Sequence, residues 1–355
     1  MHRPSRKRPE AVGSDDLEWC HDAVQDVSRT FAISIGVLDE PMSSNICIGY
    51  LLCRIADTIE DAHHIPPSDQ VSLLRAYDRV LDPDDEMDAE TFRLTVEPWI
   101  PTDPDRPADW QVVAETPRVI GVFEAQPLHV KQAIRPPARE LVQGMALFVD
   151  RYAEQGGLRI QTVSELEEYC YYAAGTVGEL ITNLVCTAET PRSRKRQLYR
   201  TAESFGLLLQ LVNITKDVYD DFRSENNVYL PATWLHDEGL TQDDVCEDPH
   251  AAQSAVVVER MVDHARTFLD DAQAYLEHVP QSNGNSLAAW AIPYLLAVGT
   301  LRELSSRPED ALSERGVKIS RNEVAAVVSR VIGESDHEVI DEMRRTIATR
   351  PYHTS

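Results

Sequence analysis

Two groups of carboxylates stand at helical spacing in this chain. In the first, Asp57, Glu60 and Asp61 fall within five residues of the string YLLCRIADTIEDA (50–62). Projected on a helix, Tyr50, Arg54, Asp57 and Asp61 form one stripe at steps of four, three and four, beside an apolar stripe of Ile48, Leu52, Ile55 and Ile59. Like charges one turn apart repel, so the group is either a solvated acidic face or a site that holds a cation. Apolar residues on several sides of the helix, and Arg54 one turn before Asp57, count for the second reading. The other group lies in GLLLQLVNITKDVYDD (206–221), where Gly206, Gln210, Asn213, Asp217 and Asp221 share one face at steps of four, three, four and four. The remainder of that segment is mostly Leu, Val and Ile, so the helix is expected to be central. Its polar stripe must then meet a pocket or a hydrogen-bond network, because an unpartnered buried polar group costs about 1–3 kcal/mol.

Facing each other, these two helices would gather at least four carboxylates in one cleft. Hard divalent cations relieve such repulsion. An all-oxygen donor set suits Mg²⁺, which keeps several waters and shares its shell with substrate phosphates. A carboxylate–Mg²⁺–diphosphate bridge inside an apolar bundle implies an ionisation. The metal draws diphosphate off as a leaving group, and apolar walls keep the resulting cation from water.

The elements that must position these residues read as helices. Alternating strand patterns with Asn-Gly or Asp-Gly turns are scarce, and helical periodicity dominates. Helices are predicted at roughly 15–30, 42–63, 67–81, 119–125, 129–154, 163–187, 191–223, 231–235, 251–278, 286–305 and 321–347. The apolar pattern continues on both sides of an acidic, proline-containing stretch at 82–117, expected to be an irregular surface excursion. The prediction is a flexible tail at 1–14 and one all-α domain over 15–350.

Composition narrows the function. With 355 residues and 43% hydrophobic content the chain can bury a large core. A net charge of −25 repels phosphate backbones and argues against nucleic-acid binding. Five of the 34 basic residues are Lys, a surface chemistry that suits a salt-rich cytoplasm. The six Cys show no metal-type spacing and read as reduced, mostly buried thiols of a cytosolic protein. The His residues lack HExxH spacing, so zinc is not implied. The start of the chain has no apolar signal region. The most apolar run, Leu287–Gly299, has 13 residues against the ~20 a bilayer needs, and reads as a buried helix. The expected location is cytoplasmic, at most peripheral to the inner face of a membrane.

Taken in order, the strings SRTFAISIGVLDEPM (28–42), YLLCRIADTIEDA (50–62), YCYYAAGTVGEL (169–180), GLLLQLVNITKDVYDD (206–221) and VYLP (228–231) resemble the squalene/phytoene synthase family of head-to-head prenyl synthases. The resemblance implies the class I isoprenoid synthase fold, an all-α bundle around a central cavity. It implies Mg²⁺ on Asp57, Glu60, Asp61, Asp217 and Asp221, and a catalytic role for Tyr169. It implies a substrate diphosphate on Ser28, Arg29 and Arg54, with Gln210, Asn213 and Trp290 along the cavity. Tyr172 lies on nearly the same helical face as Tyr169, so position alone does not separate them.

Two later strings, SLAAWAIPYLLAVGTLREL (286–304) and GVKISRNEV (316–324), are similar to the branch that reduces its product with NADPH. That places Lys216, Lys318 and Arg321 at the cofactor, with Lys216 where the family usually carries Arg and Ser320 where a second basic residue is usual. The activity so implied is condensation of two farnesyl diphosphates and reduction to squalene. Condensation of two geranylgeranyl diphosphates to phytoene is the enzymatic alternative, and a non-catalytic helical protein with solvated acidic stripes is the other. Gly175 and Gly178 are read as close helix contacts, since no strand–turn–helix surrounds them.

Overall fold

The structure, a computed structural model, describes residues 14–102, 107–334 and 336–353. Among these residues every regular element is helical, and extended pairing is limited to one bridge between Arg159 and Val228. The first helices are α1 (Ser14–Val27), α2 (Arg29–Gly36), α3 (Met42–Glu60), α4 (Pro67–Leu81), α5 (Ala89–Val96), α6 (Ala108–Ala114) and α7 (Thr116–Glu124). There follow α8 (Leu128–Arg151), α9 (Val163–Cys170), a π turn (Tyr171–Gly175), α10 (Thr176–Val185), α11 (Arg192–Lys216), α12 (Val218–Glu225) and α13 (Ala232–Asp237). The last are α14 (Ala251–Arg266), α15 (Leu269–His278), α16 (Leu287–Ser306), α17 (Arg321–Gly333) and α18 (His337–Ile347).

Periodicity finds these segments but not their breaks. The helix expected over 15–30 divides at Ser28, whose hydroxyl accepts from the Phe31 N–H at 3.3 Å and caps α2. The one expected over 321–347 divides before Asp336, which caps α18 by accepting from the Val339 N–H at 2.8 Å. The one expected over 191–223 divides at Asp217. There Thr215 donates its hydroxyl back to the Leu211 carbonyl, a contact that bends helices.

The stretch 82–117 is not irregular throughout. It contains α5, α6 and a 3₁₀ turn at Glu97–Trp99. Asp88 caps α5 at 2.7 Å from the Thr91 N–H, and Phe92, Val96, Trp110, Val112 and Val113 are buried. Each helix there is too short to register in a periodicity window. Residues 1–13 of the expected tail lie outside the described residues, and Ser14 begins α1.

The most central helix is α11, which packs against α10, α14, α15, α16 and the π turn. Two glycines permit this. A Cβ on Gly178 would stand 2.4 Å from the Ala202 carbonyl oxygen, and one on Gly206 would stand 2.3 Å from that of Ala174. Both belong to close backbone contacts, as expected for Gly178. The length argument about the apolar run is corrected: α16 has 20 residues and is long and apolar enough to cross a bilayer, but 78% of its most apolar window is buried inside the fold. All six cysteines are free thiols, four of them buried.

Candidate active site

The C-terminal half of α3 and the α11–α12 junction face each other across one cavity of about 1130 Å³, and Asp57, Asp61, Asp217 and Asp221 all line it. Gln210 and Asn213 line it as well, from the stripe that the spacing predicts. The break at Asp217 leaves that stripe facing one way, because the Asp221 N–H still bonds to the Asp217 carbonyl at 2.9 Å. Arg54 donates to Asp57 Oδ2 at 2.7 Å and to the Tyr50 hydroxyl at 3.0 and 2.5 Å.

The electrostatics show what the cluster lacks. Burial first, then neighbouring carboxylates, push the Asp221 carboxyl up to about 9 and the Glu225 carboxyl up to about 7. Asp61 is raised well above the usual carboxylate range by burial, with Asp57, Glu225, Glu60 and Asp221 adding to it. Lys216 forms an ion pair with Asp217. Arg54 and Lys216 are thus the cavity's nearby cations, set against five carboxylates that line it.

Glu60 is placed differently from the four aspartates. It is 6% exposed and borders a smaller cavity of about 430 Å³ behind the first. Tyr169, which does line the main cavity, donates to Glu60 Oε2 at 3.4 Å, while Oε1 is buried without a hydrogen-bond partner. Tyr169 and Tyr229 bring their hydroxyls within 3.1 Å of each other. Tyr172 instead lies over Gly144 and outside the cavity, which separates the two tyrosines that sequence position confuses.

The other predicted residues divide. Ser28 caps α2, and Arg29 is exposed and outside the cavity lining. Trp290 is buried, donates its indole N–H to Asn285 Oδ1 at 2.8 Å, and lines a second, almost wholly apolar chamber of about 520 Å³. Phe31 and Val177 line both chambers, so the two adjoin. Lys318 and Arg321 are exposed and do not line the cavity. Four residues before Lys318, Glu314 accepts from the Tyr219 hydroxyl of α12 at 3.4 Å.

Sequence reasoning missed Glu225, Tyr229, Phe31 and Cys53 in the lining. Glu225 had a signal, because it extends the stripe of Asp217 and Asp221 by four more residues. The cavity's charged donors are all carboxylate oxygens, which fits Mg²⁺, while burial pushes the Cys53 thiol up to about 12 and keeps it protonated. Among the described residues no three side chains of His, Cys, Asp or Glu are already gathered as a ready-made metal site.

The all-α fold has solved counterparts. The chain superposes on TcSQS in complex with a ligand with a TM-score of 0.79 at 23% identity, covering 94% of this chain and 90% of that one. It is 27% identical over 303 residues to a squalene synthase of Candida albicans, covering 84% of this chain and 64% of the relative. To a squalene synthase of Botryococcus braunii it is 28% identical over 322 residues, covering 89% and 63%. The chain therefore spans less than two thirds of the length of these relatives. A model of the family described as squalene/phytoene synthase matches residues 24–323, and the chain belongs to that family.

Proposed function

We propose that the chain joins two farnesyl diphosphates head to head through a cyclopropyl diphosphate and reduces the product to squalene with NADPH. The observation that carries this is the pairing of chambers: four aspartates from the end of α3 and the α11–α12 junction line one cavity, and that cavity adjoins an almost wholly apolar one. Asp57, Asp61, Asp217 and Asp221 would hold Mg²⁺, which when bound neutralises the departing diphosphate. Arg54 binds that diphosphate beside them. The allylic cation left behind attacks the double bond of the second substrate, a proton leaves, and the cyclopropane closes. Tyr169 offers a phenol at the cavity wall, oriented by Glu60 and Tyr229. Trp290 and Phe31 present aromatic surface that stabilises a cation and excludes water.

Loss of the second diphosphate from the cyclopropyl intermediate and rearrangement give a last cation, which hydride from NADPH would quench, with the exposed Lys318 and Arg321 as the residues that would meet the cofactor's phosphates. Two further features support reduction: the likeness of residues 286–304 and 316–324 to the reducing branch, and relatives that carry the name squalene synthase. Product analysis with farnesyl and geranylgeranyl diphosphate, each with and without NADPH, tests the reading. Squalene from farnesyl diphosphate only when NADPH is present is the expected result. Phytoene from geranylgeranyl diphosphate, with no response to NADPH, would replace it.

A further inference from the structure

Arg54 stands between two cavities. It lines the aspartate cavity and also a side chamber of about 720 Å³, which shares Asp61 and Glu225 with the first and is walled by α6 through Asp109 and Trp110. On the first side its guanidinium is engaged by Asp57 and Tyr50. On the other, Asp109 Oδ1 lies 3.6 Å from Arg54 Nε, an ion pair too long to be a hydrogen bond. That oxygen is buried and has no hydrogen-bond partner. A buried carboxylate oxygen left unbonded is unfavourable, and a small movement of Arg54 toward α6 would satisfy it.

The two carboxylates around Arg54 are not equivalent. Asp57 belongs to the set that would share its charge with a divalent cation, which weakens its hold on the guanidinium. Asp109 comes from α6, outside both aspartate stripes, and among the described residues its ion pair is with Arg54. A site that binds diphosphate through a metal and an arginine retains the anion after the chemistry is over, and each turnover to squalene releases two of them. Resting on the function proposed above, we propose that Asp109 is a positioning residue that competes with diphosphate for Arg54 and so speeds release of the inorganic diphosphate product. As diphosphate leaves, Arg54 turns from the aspartate cavity toward Asp109.

Binding of inorganic diphosphate in the presence of Mg²⁺, measured by calorimetry at one fixed ionic strength, tests this. The variants are Asp109→Asn, Asp109→Glu, Arg54→Ala and, as a control for net charge, Asp263→Asn. Asp263 is an exposed acid paired with Arg266. Asp109→Asn should bind diphosphate roughly three- to tenfold tighter than the parent, and its KM and kcat for farnesyl diphosphate should fall together. Asp109→Glu should restore parental binding, Asp263→Asn should leave it unchanged, and thermal melting should show each variant folded. If Asp109→Asn binds diphosphate no tighter than the parent or the control while Arg54→Ala binds it more weakly, Asp109 has no such role and the proposed function stands. If Arg54→Ala binds diphosphate as the parent does, Arg54 is not a diphosphate ligand and both readings fall.

Discussion

The aspartate cavity and the apolar chamber share Phe31 and Val177, yet they meet opposite demands. In the first, carboxylates from two helices are pressed together, and burial drives several of them toward their protonated forms. In the second, the one polar group of Trp290 is satisfied by Asn285 and the remaining surface is hydrocarbon. The first region is poorly satisfied until cations and phosphate arrive, whereas the walls of the second are buried hydrocarbon with almost no polar surface. Residues that serve chemistry should therefore be replaceable at little cost to folding, and residues of the chamber wall should not.

The sharpest test of that contrast is Asp217→Asn. Turnover should fall about a hundred- to a thousandfold, the scale for losing one electrostatic stabiliser of a transition state. The melting temperature in chelator should hold or rise, because one of several mutually repelling carboxylates has gone. A large drop in melting temperature would break the comparison. Trp290→Ala should do the reverse, losing about 3–5 kcal/mol of stability through cavity formation in denaturant titrations. Trp290→Phe should lose less. A Trp290→Ala protein as stable as its parent would mean that the chamber is not core-like.

Lys318→Ala, at a residue that lines neither chamber, should leave the fold and the first condensation unchanged. It should raise the KM for NADPH roughly ten- to a hundredfold, the loss of one charge-assisted contact of about 1.5–3 kcal/mol. Accumulated cyclopropyl diphosphate at limiting NADPH is the product to look for. Squalene formed at the parental rate would remove Lys318 from the cofactor site.

The smallest effect is in pH. Glu60, Glu225 and Asp221 have pKa values raised to about 8, 7 and 9, with burial the first cause in each. In the unfolded chain they titrate near 4. Their protonated forms favour the fold, so that contribution is complete below about pH 4 and is lost as pH rises toward about 9. In chelator the protein should melt higher at about pH 5.5 than at about pH 8.5, and Mg²⁺ should recover much of the difference. A flat or rising profile would show that the carboxylates are not in conflict.

Both stripes of the cavity were legible because a step of three or four residues fixes direction on a helix, and the bond from the Asp221 N–H to the Asp217 carbonyl keeps that step across the break between α11 and α12. Arg54, Gln210 and Asn213 were found in the same way. What escaped depends on tertiary approach. Tyr229 reaches Tyr169 from a segment 60 residues away. Asp109 reaches Arg54 from a seven-residue helix in a stretch whose prolines suggested a loop. Glu60 sits within its motif, yet it is turned behind the cavity, and spacing alone does not distinguish the two sides of a helix that is buried nearly all round. The break at Ser28 comes with one capping hydroxyl, and neither it nor the break at Asp217 changes the hydrophobic period much.

The near contact of Gly206 with the Ala174 carbonyl also bears on redesign. Along that line the chamber wall is bare main chain on both faces, with no side chain to trim or enlarge. Mutant libraries meant to admit longer or shorter prenyl chains would waste their diversity at position 206. They should vary Ile181, Leu209 and Phe205 instead, where the lining is side chain and volume can change one methylene at a time.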